Sequence, residues 1–112
     1  MSNPAPNESL RELVSILGEE DTCELVRAFL RDFPDQLRQL ASGDPEQRRR
    51  VTHSLKSSAR HMGADGLARQ MAALETRLSR PGSEVNQEDL AATVAEFERV
   101  AGSLRAFAHR PR

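Results

Sequence analysis

The sequence predicts an all-α fold: an antiparallel up-and-down four-helix bundle with a short extra N-terminal helix. Three observations lead there. Apolar residues recur at three- and four-residue steps through four long stretches. No segment alternates with a period of two over any useful length, which leaves no candidate strand. Glycine, proline and N-capping residues cut the periodic stretches into helix-sized pieces joined by loops of a few residues, which suits neighbours running in opposite directions.

Residues 1–7 carry two prolines and no periodicity, and read as a flexible tail. A single domain is expected over residues 8–108, with residues 109–112 as a C-terminal tail. Ser9 and Glu12 have capping-box spacing, and Leu10, Leu13, Val14 and Leu17 follow until Gly18 ends a short first helix. This helix is expected to pack across one end of the bundle. The second begins near Asp21, with Glu24 at the reciprocal capping position. Its stripe is Leu25, Val26, Phe29, Leu30, Phe33, Leu37 and Leu40, closing at Ser42 and Gly43. Pro34 removes one backbone hydrogen bond and crowds the Leu30 carbonyl. The stripe stays in phase through it, so one bent helix is expected rather than two.

Asp44, Pro45 and Gln47 mark the third start: an N-cap aspartate, proline at the first helical position and glutamine at the third. That helix ends at Gly63. The fourth, from about Asp65 to Ser79, carries Leu67, Met71, Leu74 and Leu78 and is broken by Pro81 and Gly82. The last runs from Gln87, capped by Asn86, to Ala108, with a seam of Leu90, Val94, Phe97, Ala101, Leu104 and Ala108 and with Phe107 beside it.

A chain of 112 residues forms one domain with a core that needs no staples. Its formal net charge of −1 argues against a protein built to grip nucleic acid, even though Arg48, Arg49 and Arg50 form a basic run. One cysteine, Cys23, allows no internal disulfide and suits a reducing compartment. No apolar run approaches the roughly 18 residues needed to span a membrane, and the N-terminus lacks the pattern of a signal peptide. A cytoplasmic protein is expected.

The third helix holds the residues with chemistry to offer. At about 100° per residue, Val51, Leu55, Ser58 and Met62 fall within roughly 40° of the direction opposite His53. Arg49, Arg50, Lys56, Ser57 and Arg60 fall within roughly 60° of His53 itself. The histidine is thus expected in solvent at the centre of a basic face. Of sixteen lysines and arginines in the chain, Lys56 is the only lysine. That is either a trace of arginine-rich composition or a place where a compact, rotatable ammonium is useful.

Metal binding is not supported. His53 and His61 lie eight residues apart and Cys23 is on another helix, so no pair has the spacing of a zinc site. There is neither a nucleophile elbow nor a glycine-rich phosphate loop, and no acid can be placed beside His53 from sequence. Two readings remain: a solvated surface histidine without a role, or a covalent acceptor. A neutral imidazole is a good nucleophile near pH 7. A phosphoryl group on it would meet the cationic side chains of its own face.

The pattern around His53 resembles the histidine-containing phosphotransfer (HPt) domain of multistep phosphorelays. The family reads approximately His-x-Leu-Lys-Gly-Ser-Ala/Ser-x-x-Leu-Gly-Ala-x-x-Leu, with Leu-Glu later. His53, Leu55, Lys56, Ser58, Ala59, Gly63, Ala64, Leu67, Leu74 and Glu75 match in register, and Met62 replaces the leucine. Phe29, Leu30, Pro34 and Leu37 match the preceding helix, so the resemblance spans about residues 10–108. It implies that His53 accepts the phosphoryl group through Nε2, that Lys56 steadies it, and that Gly63 lets the chain turn. Ser57 departs from the pattern, since the family usually has glycine there.

The resemblance further implies a phosphocarrier rather than an enzyme. Residue 54 is serine, where the related histidine box of sensor kinases has an acid, and no ATP-binding domain is seen. The expected partners are receiver domains of response regulators or hybrid sensor kinases. These would supply the Mg²⁺, and the chain itself would need no cofactor. A free-standing monomer is expected, contacting neither nucleic acid nor membrane. The competing class is a helical adaptor that keeps the fold without phosphorylation. Because the neighbours of His53 on its own helix are polar, an apolar docking surface has to come from elsewhere. Leu13 and Leu17 of the first helix are the candidates, with Arg49, Ser57 and Arg60 around the histidine.

Overall fold

The computed structural model describes residues 7–42 and 44–109. They form five helices, α1 (Glu8–Leu17), α2 (Glu19–Gln39), α3 (Pro45–His61), α4 (Asp65–Leu78) and α5 (Gln87–Ala108), and no strand occurs among the described residues. The four long helices close a ring in which α2 packs on α3, α3 on α4, α4 on α5 and α5 on α2. Helix α1 packs against α2.

Two helix starts differ from the sequence reading. Asn7, not Ser9, caps α1: its Oδ1 accepts from the Leu10 amide at 2.8 Å. Asn7 therefore belongs to the fold rather than to the tail. Helix α2 begins at Glu19, two residues before Asp21, on a Gly18 with φ of +90° and no side-chain cap. Three acids in its first turn, Glu19, Glu20 and Asp21, face the positive end of the helix dipole instead. The expected end of α2 at Gly43 lies outside the described residues; the last helical residue is Gln39. Pro34 is accommodated inside one uninterrupted helix.

The other starts follow the sequence. Asp44 accepts from the Gln47 amide at 2.8 Å, with Pro45 at the first helical position. Asn86 and Asp89 close a reciprocal capping box on α5. The turn after α3 passes through Gly63 at φ +72°, a left-handed conformation that suits glycine.

The core is aliphatic around a cluster of phenylalanines. Phe33 of α2 stacks on Phe97 of α5 with ring centroids 5.1 Å apart, and Phe29 tilts against both. Such aromatic pairs add about 0.5–1.5 kcal/mol beyond the area they bury. Leu55, Ala59, Leu67 and Met71 join α3 and α4 with no exposure at all.

Three faces are rotated relative to expectation. The apolar stripes put Val51, Val94 and Leu25 inward, but Val51 is half-buried, and Val94 and Leu25 are exposed. Thr52, Thr93 and Thr22 are buried in their vicinity. Each threonine hydroxyl donates to the carbonyl four residues back, Arg48, Asp89 and Gly18 respectively, at 2.7 to 2.9 Å. The polar atom is satisfied inside its own helix, so threonine can take a core position that an apolar stripe would not assign to it. Ser58, also placed inward, and Leu30 and Leu90 are half-buried.

Candidate functional site

The α3–α4 hairpin builds the site. Asp44 fixes where α3 starts and Gly63 fixes where it turns, and Leu55 locks its rotation by burying completely between them. His53 then stands on the outer face with its side chain 62% exposed. The expectation of a solvated histidine holds.

What the sequence could not place is its neighbour. Glu75 of α4 reaches His53 across the hairpin, with Oε2 2.8 Å from Nδ1. Its other oxygen, Oε1, is 2.7 Å from the Lys56 Nζ. One carboxylate thus holds both the imidazole and the only lysine. The Lys56 ammonium beside Glu75 is the main reason its carboxyl sits below the usual range; partial burial opposes this and the His53 hydrogen bond assists. Glu75 is therefore ionised at neutral pH. An ionised carboxylate can only accept, so the ring nitrogen facing it must carry a proton. In the neutral ring this places the hydrogen on Nδ1 and leaves the lone pair on Nε2.

Around this triad lies a shallow hollow lined by Arg49, Arg50, His53, Glu75 and Ser79. Arg49 and Arg50 are exposed, and Arg50 is 3.9 Å from Glu46. Arg60, nearly two turns further along α3, is exposed and does not line this hollow. Ser57 is half-buried on α3, next in sequence to Lys56.

A second hollow of about 340 Å³, lined mainly by apolar residues, opens between α1, α2 and α3. Leu13 forms its α1 wall, Leu25, Phe29 and Phe33 its α2 floor, and Ser58, His61 and Met62 its α3 wall. Leu17 and Leu25 border an adjoining groove, and Leu17, Leu25 and Ile16 are 41%, 43% and 75% exposed. Of the residues singled out from sequence, Arg49 and Lys56 are thus gathered at His53, while Leu13 and Leu17 lie on the neighbouring apolar surface. Leu25, expected in the core, joins that surface.

The Hpt domain family model matches residues 24–108. The chain belongs to the Hpt domain family. Comparisons with curated proteins and with solved structures return no match. Hpt domains are helical phosphocarrier modules that exchange phosphoryl groups with receiver domains in phosphorelays, and they are not kinases. The match takes in α3, α4, α5 and most of α2, whereas α1 and Asn7 precede it. No helix among the described residues is long and apolar enough to cross a membrane.

Proposed function

We propose that this Hpt domain carries a phosphoryl group on Nε2 of His53, to and from aspartates of receiver domains. The contact between Glu75 and Nδ1 of His53 carries the reading. Glu75 accepts the Nδ1 hydrogen and turns the lone pair of Nε2 outward on an exposed ring. That lone pair attacks the phosphorus of an aspartyl phosphate, and the bond from phosphorus to the carboxylate oxygen breaks. The ring keeps its Nδ1 hydrogen throughout and becomes cationic as the new bond forms. Glu75, already ionised, stabilises that charge where it develops, as preorganised electrostatics does in other nucleophilic sites. Return transfer reverses the electron movement and expels a neutral imidazole. No separate acid or base is required in either direction.

Arg49 and Arg50 flank the place the phosphoryl oxygens would occupy, and Lys56 has two further N–H groups to offer while it remains on Glu75. The receiver brings the Mg²⁺. It covers His53 and Ser57 and extends over Arg60 and His61 toward Leu13, which lines a hollow together with Ser58 and His61, and on to Leu17. Relay contacts of this kind are small and transient, at the low end of about 1,200 Å². We read the ring of four long helices as up-and-down and the domain as a cytoplasmic monomer.

The test is to mix the protein with a phosphorylated receiver domain and follow the label. Appearance of acid-labile, base-stable label on this chain is the expected result. A panel of receivers that leaves it unlabelled, while labelling a control Hpt domain, would favour a helical adaptor that has kept only the fold.

A further inference from the structure

Asn7 makes two hydrogen bonds with two different jobs. Its Oδ1 accepts from the Leu10 amide and caps α1. Its Nδ2 donates to the Met62 carbonyl at 2.9 Å, at the end of α3 and 55 residues away. The turn is shaped to receive it. A Cβ on Gly63 would lie 2.3 Å from Asn7 Oδ1 and 2.4 Å from its Cγ, so the amide occupies the space that any other residue would fill. Gly63 therefore serves twice, by its positive φ and by its missing side chain.

We infer that Asn7 is a positioning residue that ties α1 to the histidine-bearing hairpin and so sets the width of the apolar hollow onto which the receiver docks. Leu13 stands on α1 and Met62 caps the C-terminus of α3, and both line that hollow. Helix α1 is ten residues long and packs against α2. A helix that short has little stability of its own and takes its placement from tertiary contacts. The Asn7–Met62 hydrogen bond joins the two walls directly. Without it, α1 is held only by its packing on α2 and Leu10 in the core, its distance from the α3 turn is no longer fixed, and apparent affinity falls by the fraction of molecules that are competent. The inference rests on the docking surface proposed above. It does not follow from family membership, because the family match begins only at residue 24.

Two substitutions separate the latch from the cap. Asn7→Asp keeps an acceptor for the Leu10 amide but places a carboxylate oxygen against the Met62 carbonyl. Asn7→Ser keeps a cap and is too short to reach Met62. Each variant is labelled with phosphoramidate, a small donor that needs no docking surface, and then titrated with the receiver that serves the wild type best. The expected result is unchanged phosphoramidate labelling, an unchanged limiting rate of transfer at saturating receiver, and a half-saturating receiver concentration raised roughly two- to tenfold. That range corresponds to the worth of one neutral hydrogen bond. Circular dichroism should show the helix content of the wild type. A wild-type half-saturating receiver concentration in both variants overturns the inference alone. A parallel fall in phosphoramidate labelling would mean that Asn7 supports the whole fold, which also overturns it. If the wild type accepts phosphoramidate label but exchanges with no receiver, the docking reading fails and this inference fails with it.

Discussion

Glu75 and His53 lie 22 residues apart in sequence and 2.8 Å apart in space, joined from α4 to α3 through Nδ1. The same carboxylate binds Lys56, so one side chain sets both the tautomer of the imidazole and the position of the ammonium. Removing it should separate chemistry from folding. Glu75→Ala is expected to slow phosphorylation of His53 by phosphoramidate by about ten- to a hundredfold. That is what the loss of one charge-assisted hydrogen bond of about 1.5–3 kcal/mol to the reacting ring implies. Circular dichroism should show the bundle intact. An unchanged labelling rate would mean the ring needs no orienting partner.

The pairing also has a pH signature. The Glu75 carboxyl is held below its ordinary range in the folded protein, first by Lys56 and then by His53. A depressed pKa means that the contribution to stability is fully present above the unfolded value, about 4.3. It is lost as pH falls through the lower folded value. Thermal unfolding of wild type and Glu75→Gln should therefore converge as pH is lowered from 5 toward 2. A gap that stays constant over that range would contradict the assignment.

His53 and Leu55 are two residues apart on α3 and should behave oppositely. His53→Gln alters an exposed side chain and should change stability by no more than about 0.5 kcal/mol while abolishing phosphoryl acceptance. Leu55 has no exposed surface, and Leu55→Ala should cost about 2–5 kcal/mol by opening a cavity. Denaturant unfolding of both variants checks the pair. An unstable His53→Gln or a fully stable Leu55→Ala would mean that α3 presents a different face.

Ser57, half-buried beside the histidine face, tests the direction of approach. Ser57→Gly should transfer normally. Ser57→Gln should leave the fold intact and block transfer from the receiver, while labelling by phosphoramidate continues. Normal receiver transfer to Ser57→Gln would show that the partner approaches from the α4 side instead.

Most of the helical architecture was legible because it rests on strong local signals: Asp44 with Pro45, Asn86 before the last helix, and Gly63 at the turn. The finer rotation of the helices was not. An apolar stripe assigns Val51 and Val94 to the interior, whereas Thr52 and Thr93 are buried there with their hydroxyls satisfied locally. Hydrophobicity alone has no way to see that compensation.

The site was legible in the same uneven way. His53 and Lys56 share one helix face, so periodicity was enough to find them together. Glu75 stands on another helix, and only the packing of α3 on α4 brings it to them. The one available signal was that Glu75 falls on the Leu-Glu of the Hpt pattern. Asn7 offered less still. Its partner is a backbone carbonyl 55 residues away, and no side-chain pattern records a carbonyl.

The central claim is that Glu75 holds the hydrogen of Nδ1 and leaves Nε2 of His53 to take the phosphoryl group. Long-range ¹H–¹⁵N correlation of the imidazole rings, with ³¹P spectra of the same phosphorylated sample, reads this directly. The account predicts phosphorus on Nε2 of His53, with a hydrogen retained on Nδ1. Phosphorus on Nδ1 of His53, or on His61 or His109, would contradict it.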